Sequence, residues 1–206
     1  MPPTVILVRH GEALHNINND WSLADPGLTP RGMDLTRRLQ WQFERYFRII
    51  PGAEDCLIVV SPLKRTLETV KYGFQWLRDL GVRVEVRAEW QETSKNPCDI
   101  GSHPDKLKSE WPDLDFSTLD PIYPQKTGLY ESSEDAYQKR GDVAKRWLYD
   151  RPERCVIVVT HAGFIRRLVK GPKYDNLEFH TYNLVETQDN RLDFEEIPRV
   201  MDYSSI

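Results

Sequence analysis

Residues 5–14 of the chain read VILVRHGEAL, an apolar run that ends abruptly in a cation and a titratable ring, Arg9 and His10. The run is continuous and rich in β-branched residues, without the alternation expected of a strand that has one solvated face. Two later runs have the same form, CLIVV at 56–60 and CVIVV at 155–159. Strands covered on both faces show this pattern, so we predict that these three runs form the middle of a parallel sheet.

Helical patterns fill the intervals between the strands, and each begins with a recognisable signal. The predicted starts are Thr29 with Pro30, Ser61 with Pro62, the capping box Ser132 with Asp135, and His161. Apolar residues at helical spacing are predicted to face the core: Leu35, Leu39, Phe43 and Tyr46; Leu63, Leu67, Val70, Phe74 and Leu77; Ala136, Val143, Trp147 and Leu148; Phe164, Ile165 and Leu168.

The remaining strand signals are weaker. VRVEV at 82–86 alternates, which favours a strand nearer an edge, and TYNLVET at 181–187 with RLDFEEI at 191–197 predicts a terminal hairpin. Strands that alternate with helices predict an α/β three-layer sandwich, with a mostly parallel central sheet and helices on both faces. Because no repeat or flexible linker divides the sequence, we expect one domain over 1–206.

Between about residues 93 and 131 this pattern breaks down. Prolines interrupt the segment, and only SHPDKLKSEW at 102–111 has the character of a short helix. Irregular segments of this length are usually functional lids or disordered linkers. Four aromatic residues argue against disorder, so we predict an irregular lid insertion: Trp111, Phe116, Tyr123 and Tyr130.

Composition excludes several classes of partner. The formal net charge is -4, from 28 basic and 32 acidic residues without a basic field, so we expect no nucleic acid partner. No apolar stretch approaches the roughly 20 residues that span a bilayer, and the first residues lack a secretory signal, so we expect no membrane and a cytoplasmic location. The spacing of Cys56, Cys98 and Cys155 fits neither a disulfide framework nor a zinc site. Reduced thiols and no metal are therefore expected, and a nucleophilic Cys98 is the less favoured alternative to a structural thiol.

Chemically active residues follow the three buried strands. The carboxyl ends of parallel strands meet at one edge of a sheet, where the next helices also begin. That edge is predicted to bring together two imidazoles and two guanidiniums, from His10, His161, Arg9 and Arg65. Guanidinium forks and helix N–H groups, here at Ala162 and Gly163, suit a phosphate dianion.

A neutral imidazole can attack phosphorus, so His10 and His161 are both candidate nucleophiles. Gly11 favours His10, because a residue without Cβ leaves room for substrate and its backbone can bond the far ring nitrogen. His15, His103 and His180 lack comparable neighbours in sequence and are expected to be solvated or capping. Ser61 and Thr160 are interpreted as helix-start and strand-end residues, and Glu12 either orients a partner or faces solvent.

The motifs LVRHGEALHN (7–16), SPLKRT (61–66) and VVTHAG (158–163) together resemble the histidine phosphatase superfamily, also called the phosphoglycerate mutase-like family. The resemblance extends from residue 5 to about residue 170, with the motifs in the family's order. It implies that His10 becomes phosphorylated, that Arg9, Arg65 and His161 complete the phosphate pocket, and that Asn16 contacts the transferring group.

The resemblance also implies a general acid within AEWQETSKNPCDIG at 88–101. Glu92 fits the family pattern, with Trp90 where a leucine is usual, and Glu89 and Asp99 stay open as alternatives. The sequence NPCDIG departs from the glycine-rich stretch often found there in mutases. A phosphatase is therefore favoured over a mutase of the same family.

The predicted function is metal-independent and cofactor-free hydrolysis of a small phosphomonoester through a phosphohistidine. The alternatives are a mutase-like phosphotransferase and a binding scaffold that keeps the phosphate pocket without turnover. The sequence alone names neither the substrate nor the oligomeric state. Four lysines of the insertion are candidates to bind a second acidic group of the substrate: Lys95, Lys106, Lys108 and Lys126.

Overall fold

The computed structural model describes residues 1–46, 52–171 and 173–198, and its strands form one six-stranded sheet. The strands are β1 (Thr4–Arg9), β2 (Cys56–Val60), β3 (Arg83–Val86), β4 (Cys155–Thr160), β5 (Phe179–Glu186) and β6 (Leu192–Ile197). Their order is β3-β2-β4-β1-β5-β6. The pairs β3–β2, β2–β4 and β4–β1 are parallel, and β5 and β6 are antiparallel. The predicted mostly parallel sheet is confirmed, with β3 at one edge and the terminal hairpin at the other.

Helices cover both faces of the sheet. They are α1 (Leu14–Asn18), α2 (Pro30–Arg37), α3 (Leu39–Tyr46), α4 (Lys64–Gly73), α5 (Gln75–Asp79), α6 (Pro104–Glu110), α7 (Glu134–Tyr149) and α8 (Ala162–Leu168). Short 3-10 turns lie at Ala53–Asp55, Ala88–Trp90, Pro97–Asp99 and Gly128–Tyr130. This arrangement is the three-layer α/β sandwich that the sequence predicts. None of the helices in the described ranges is long and apolar enough to cross a membrane.

Alternate residues of the central strands supply two separate cores. In β1, Ile6 and Val8 face the first core, which is shared with α3, α4 and α5. Val5 and Leu7 face the second core, which is shared with α7 and α8. Because both faces of the strand are buried, every position must be apolar, and the run shows no alternation.

Two helix starts, the continuity of two helices and two core positions differ from the sequence prediction. The patterns after Thr29 and after Ser61 each form two helices, α2 with α3 and α4 with α5. The helix predicted at Ser61 begins at Lys64, because the backbone N–H of Ser61 still bonds Val159 in the sheet and its hydroxyl bonds elsewhere. Leu35 and Val143, predicted to be buried, are exposed. The side chain of Tyr46 lies outside the described residues.

The N-cap of α7 is Ser133, not the predicted Ser132. The Ser133 hydroxyl accepts from the backbone N–H of Ala136 at 3.4 Å, while the hydroxyls of Ser132 and Tyr137 bond each other at 2.6 Å. Both serines precede the same helix, and only the backbone path decides which hydroxyl faces its first turn.

The segment predicted as a lid is packed against the first core. Its short helix α6 is present, and Leu107 on that helix is buried. The aromatic residues that argued against disorder are buried in the same cluster as the strand residues: Trp111, Phe116, Tyr123 and Tyr130. The segment lies beside the carboxyl end of β2, where the Tyr123 hydroxyl donates to the backbone oxygen of Pro62 at 3.3 Å.

Candidate active site

The ends of β1, β2 and β4 bring the predicted residues to one edge of the sheet. The backbone N–H of His10 bonds Thr160 at 3.0 Å, and that of Ser61 bonds Val159 at 3.1 Å. The sheet register therefore places His10 and His161 side by side, with ring centroids 5.2 Å apart. Parallel strands with register-matched ends thus assemble a site from residues 151 positions apart in sequence, the separation of His10 and His161.

His10 is a buried, neutral imidazole with a defined tautomer. Its Nδ1 lies 2.7 Å from the Gly11 carbonyl oxygen, which can only accept, so Nδ1 carries the proton. Arg65 Nε donates to the remaining lone pair on Nε2 at 3.2 Å. Burial, together with the charges of Arg65 and Arg9, holds the pKa of His10 well below its usual value. His10 Nε2 is therefore unprotonated near neutral pH and accepts the hydrogen bond from Arg65.

Gly11 makes the expected backbone contact to the ring, but the space beside it is filled by protein. A Cβ at residue 11 would clash with the Thr36 hydroxyl and crowd Leu28 and Leu177. The missing side chain thus allows close packing behind His10 and leaves no opening for substrate.

Arg65 is fully buried, and all its nitrogen positions are engaged. Besides the contact to His10, NH1 donates to the Cys98 carbonyl oxygen at 2.6 Å and NH2 to Asp99 Oδ1 at 2.8 Å. Asp99 in turn accepts from the Ser94 hydroxyl at 2.6 Å. A network of this kind fixes the guanidinium beside the nucleophile candidate.

Arg9 precedes His10 at the end of β1, and its charge acts on the His10 ring. Its NH1 donates to the Tyr174 carbonyl oxygen at 2.8 Å, whereas its Nε has no partner in the part of the chain that the structure describes. Burial lowers the pKa of this guanidinium, and the negative charges of Glu92 and Asp175 oppose that effect. Arg9 therefore offers a free N–H donor at a buried position.

His161 is oriented by Ser61, a contact that the sequence analysis missed. The Ser61 hydroxyl and His161 Nε2 lie 2.8 Å apart, and Nδ1 has no partner among the described residues. Burial and the Arg65 charge hold the pKa of His161 well below its usual value. If the hydroxyl donates to Nε2, the Nδ1–H is left free to bind an anion. The available signal was that Ser61 follows β2 just as His10 and His161 follow their strands.

Three carboxylates were candidates for the general acid, and their contacts differ. Glu89 pairs with Arg87 at 2.5 Å, and Asp99 is held by Arg65. Glu92 Oε2 accepts from the Gly163 backbone N–H at 3.0 Å, and Oε1 accepts from that of Thr93 at 2.8 Å. Of the three, Glu92 is the carboxylate placed beside the helix start that follows His161.

The approach of Glu92 to α8 requires glycine at residue 163. A Cβ there would clash with the Glu92 carboxylate. The Gly163 N–H, predicted to bind substrate, is occupied by Glu92 in this structure, and Ala162 opens α8 as a buried residue.

Asn16 reaches the site together with His15, which the sequence analysis wrongly expected to be solvated or capping. His15 is buried with its ring 5.9 Å from that of His10, and its Nε2 accepts from the Asn16 side-chain amide at 3.0 Å. Asn16 Oδ1 accepts from the Ala13 backbone N–H at 3.0 Å. The signal available in the sequence was that both residues lie within six positions after His10, inside the motif LVRHGEALHN.

The other polar candidates lie outside this cluster. Glu12 orients a partner, since it accepts from the Thr29 hydroxyl at 2.8 Å. His103 caps α6, as expected, and His180 lies between Glu178 and Glu196. Within the described ranges, no group of three or more His, Cys, Asp or Glu residues is arranged to hold a metal ion.

Cys98 is buried next to Arg65 but is poorly suited to act as a nucleophile. Burial, reinforced by the neighbouring Asp99 charge, raises the pKa of its thiol to about 12. A thiol with such a pKa is protonated at neutral pH, and the thiolate is the reactive form. Cys56 and Cys155 are likewise free and buried.

Comparison with known proteins relates this geometry to a family. A protein of Schizosaccharomyces pombe named as a probable phosphatase is 29% identical over 203 residues, covering 94% of this chain and 92% of the relative. A phosphoglycerate mutase-like protein of Arabidopsis thaliana is 24% identical over 206 residues, covering 82% of this chain and 74% of the relative.

Solved structures share the fold at low sequence identity. The ecdysone phosphate phosphatase of Bombyx mori, in complex with tungstate, superposes with a TM-score of 0.64 at 16% identity, covering 96% of this chain and 92% of that one. A phosphoserine phosphatase mutant from Entamoeba histolytica, in complex with phosphoserine, gives 0.56 at 18% identity, covering 93% and 94%. A family model described as the histidine phosphatase superfamily (branch 1) matches residues 5–201. The chain therefore belongs to the histidine phosphatase superfamily.

Proposed function

We propose that this protein hydrolyses a phosphomonoester through a phosphohistidine formed on His10. The observation that carries the proposal is the state of the His10 ring, buried and neutral with Nδ1–H held by Gly11 and Nε2 directed toward Arg65. The phosphatase names of its relatives support hydrolysis as the reaction class.

The phosphoryl group binds between the free donors of the site. Arg9 Nε and His161 Nδ1 are buried atoms without partners in the described residues, and Arg65 Nε needs only to exchange His10 Nε2 for a phosphate oxygen. The Asn16 amide completes the set at the rim. The guanidiniums supply the positive charge that neutralises the phosphate oxygens.

The reaction proceeds in two in-line steps. His10 Nε2 attacks phosphorus, the ester P–O bond breaks, and Glu92 gives its proton to the leaving oxygen. Water then attacks the phosphohistidine, Glu92 takes a proton from that water, and the P–N bond breaks to restore His10. Inorganic phosphate and the alcohol are the products, and no redox change occurs.

The mutase alternative uses the same residues and differs in the second step, where the substrate alcohol replaces water. The Arabidopsis thaliana relative is named as phosphoglycerate mutase-like, so the mutase reaction is tested as well. Phosphate release and interconversion of phosphoglycerate isomers, measured on the same preparation, separate the two reactions. A scaffold without turnover gives neither product, and the presence of both histidines, both arginines and Glu92 argues against it.

The first prediction concerns His10→Ala. We expect hydrolysis of p-nitrophenyl phosphate to fall by about 10³-fold or more, because the variant lacks the attacking atom. His103→Ala, which removes an exposed histidine, is the matched control and should retain wild-type activity. Brief exposure of the wild-type protein to labelled substrate should leave an acid-labile, base-stable phosphoryl group. Label on a serine or cysteine, or His10→Ala activity within tenfold of wild type, contradicts the mechanism.

A further inference from the structure

Lys126 is the lysine of the insertion that reaches the active site. Lys95, Lys106 and Lys108 are exposed, whereas Lys126 is only 7% exposed. Its Nζ donates to the backbone oxygen of Glu92 at 2.7 Å. An ammonium has three N–H donors, and no second acceptor for this one lies in the described part of the chain. Two donors of a buried cation are thus unassigned.

Arg140 on α7 lies within electrostatic range of Lys126 and is even more enclosed. It is 1% exposed, and none of Nε, NH1 and NH2 has a hydrogen-bond partner among the described residues. Its guanidinium stacks 4.2 Å from the centre of the Phe164 ring. A buried arginine that served packing alone would be expected to have its N–H groups satisfied.

The carboxylates near these two cations are bonded elsewhere. Glu92 and Glu89 both act electrostatically on Arg140. Glu92, however, accepts from Gly163 and Thr93, and Glu89 pairs with Arg87. On the Glu92 side of the site, neither Lys126 nor Arg140 therefore has a salt-bridge partner in the described part of the chain. Since Glu92 protonates the leaving oxygen in the proposed mechanism, this is the side that receives the alcohol portion of the substrate.

We propose that Lys126, backed by Arg140, is a subsite for a second anionic group on the alcohol portion of the substrate, a carboxylate or a second phosphate. The preferred substrates are then acidic phosphomonoesters. This inference rests on the proposed function, which supplies the position of the leaving group.

The charge state of Lys126 gives the subsite a pH dependence. Burial, followed by the Arg140 charge, lowers the pKa of Lys126 to about 7, and Arg65 acts in the same direction. Asp99 and Glu92 oppose them, and His161 also lies within electrostatic range. The ammonium is therefore charged below about pH 7 and loses its charge above it, so selectivity for a second anion weakens as pH rises.

Two matched pairs of esters test the subsite. 2-Phosphoglycolate differs from ethyl phosphate by a carboxylate, and 1,3-propanediol bisphosphate differs from propyl phosphate by a phosphate. The readout is the ratio of kcat/KM within each pair, compared between variants so that intrinsic reactivity cancels. Lys126→Met should lower the ratio of at least one pair by about tenfold or more, the range of a charged hydrogen bond. Lys108→Met, an exposed lysine of α6, should keep the wild-type ratio.

Lys126→Arg provides the second arm, because arginine stays charged. Its ratio should persist at pH 8, where the wild-type ratio has fallen from its value at pH 6. Ratios unchanged by Lys126→Met in both pairs would overturn the subsite. So would parallel pH profiles for the wild type and Lys126→Arg, a comparison that holds even if the methionine variant does not fold.

Binding separates failure of the subsite from failure of the proposed function. Calorimetric titration of His10→Ala with the same four esters measures affinity without turnover. A preference for the acidic ester that disappears in the His10→Ala/Lys126→Met double variant supports the subsite even if the wild-type protein releases no phosphate. Equal affinities within both pairs refute it.

Discussion

Glu92, Glu89 and Asp99 lie within eleven residues of one another, and their partners decide what each can do. Asp99 is bound to the buried guanidinium of Arg65, and Glu89 to Arg87. A carboxylate committed to a salt bridge is a poor proton donor, because its ionised form is stabilised. In the described part of the chain Glu92 forms no salt bridge and accepts from two backbone N–H groups and the Thr93 hydroxyl, so it is the carboxyl that we propose to exchange a proton with substrate.

Glu92→Gln tests this assignment. Formation of the phosphoenzyme from an alkyl phosphate should slow by about 10²- to 10⁴-fold, because an alkoxide cannot leave unprotonated. The burst with p-nitrophenyl phosphate should slow much less, since p-nitrophenolate is stable as an anion. Rapid-quench measurement of the burst is required, because in the proposed mechanism Glu92 also activates water in the second step. Glu89→Gln is the matched control, and equal burst losses for the two esters would move the acid to another residue.

Residues of the candidate site were predicted from the sequence where the resemblance assigned them a role. They were missed where only a three-dimensional contact places them at the site. His10 and His161 directly follow strands, Arg65 lies in the first turn of α4, and the resemblance gave all three expected roles. Ser61 and His15 lie within the quoted motifs SPLKRT and LVRHGEALHN, but the resemblance assigned them no role, and they were interpreted as a helix-start serine and a solvated or capping histidine. Their positions follow from sheet register and from the turn of α1.

At the level of elements, the strands were predicted better than the helix boundaries. A strand buried on both faces needs an unbroken apolar run, and few other structures produce one of that length. Helix starts depend on which of two adjacent hydroxyls faces the first turn, and Ser132 and Ser133 differ in backbone path alone. Periodicity also extends across a break, so α2 and α3 read as one helix.

The insertion gives a prediction at this scale. Phe116 is 3% exposed within the first core, so Phe116→Ala should lower the free energy of unfolding by about 3–5 kcal/mol. Ile122→Ala, in the same segment but 40% exposed, should change it by less than about 0.5 kcal/mol. Urea denaturation of both variants measures the difference. A loss below about 1 kcal/mol for Phe116→Ala would show that the segment is a loosely attached lid.

Across the whole molecule, the two apolar cores lie on opposite faces of the sheet, and the polar site lies at one of its ends. The strands that carry the site are the most deeply buried, which holds His10, His161 and Arg65 in fixed positions. This placement is favourable for function and unfavourable for stability. Burying polar groups costs hydration free energy, and hydrogen bonds within the protein recover only part of that cost.

The buried histidines therefore set a dependence of stability on pH. The pKa values of His10 and His161 lie well below 6.5, and that of His15 is about 4. Below pH 6.5 the unfolded chain binds protons at these rings that the folded protein does not, so the free energy of unfolding falls as pH decreases. Each ring contributes a slope of up to about 1.4 kcal/mol per pH unit in this window, and none of them contributes above it.

Urea denaturation between pH 7 and pH 5, in buffer free of phosphate, measures this slope. Removing one buried ring with His161→Asn should make the slope shallower by up to about 1.4 kcal/mol per pH unit, whatever the variant's stability at pH 7. His103→Asn, which removes an exposed histidine, should leave it unchanged. If wild type and His161→Asn lose stability in parallel on acidification, the ring is not kept neutral by the fold. The neutral-imidazole description of the site would then fail together with the pH prediction, because burial and the two arginines are invoked for both.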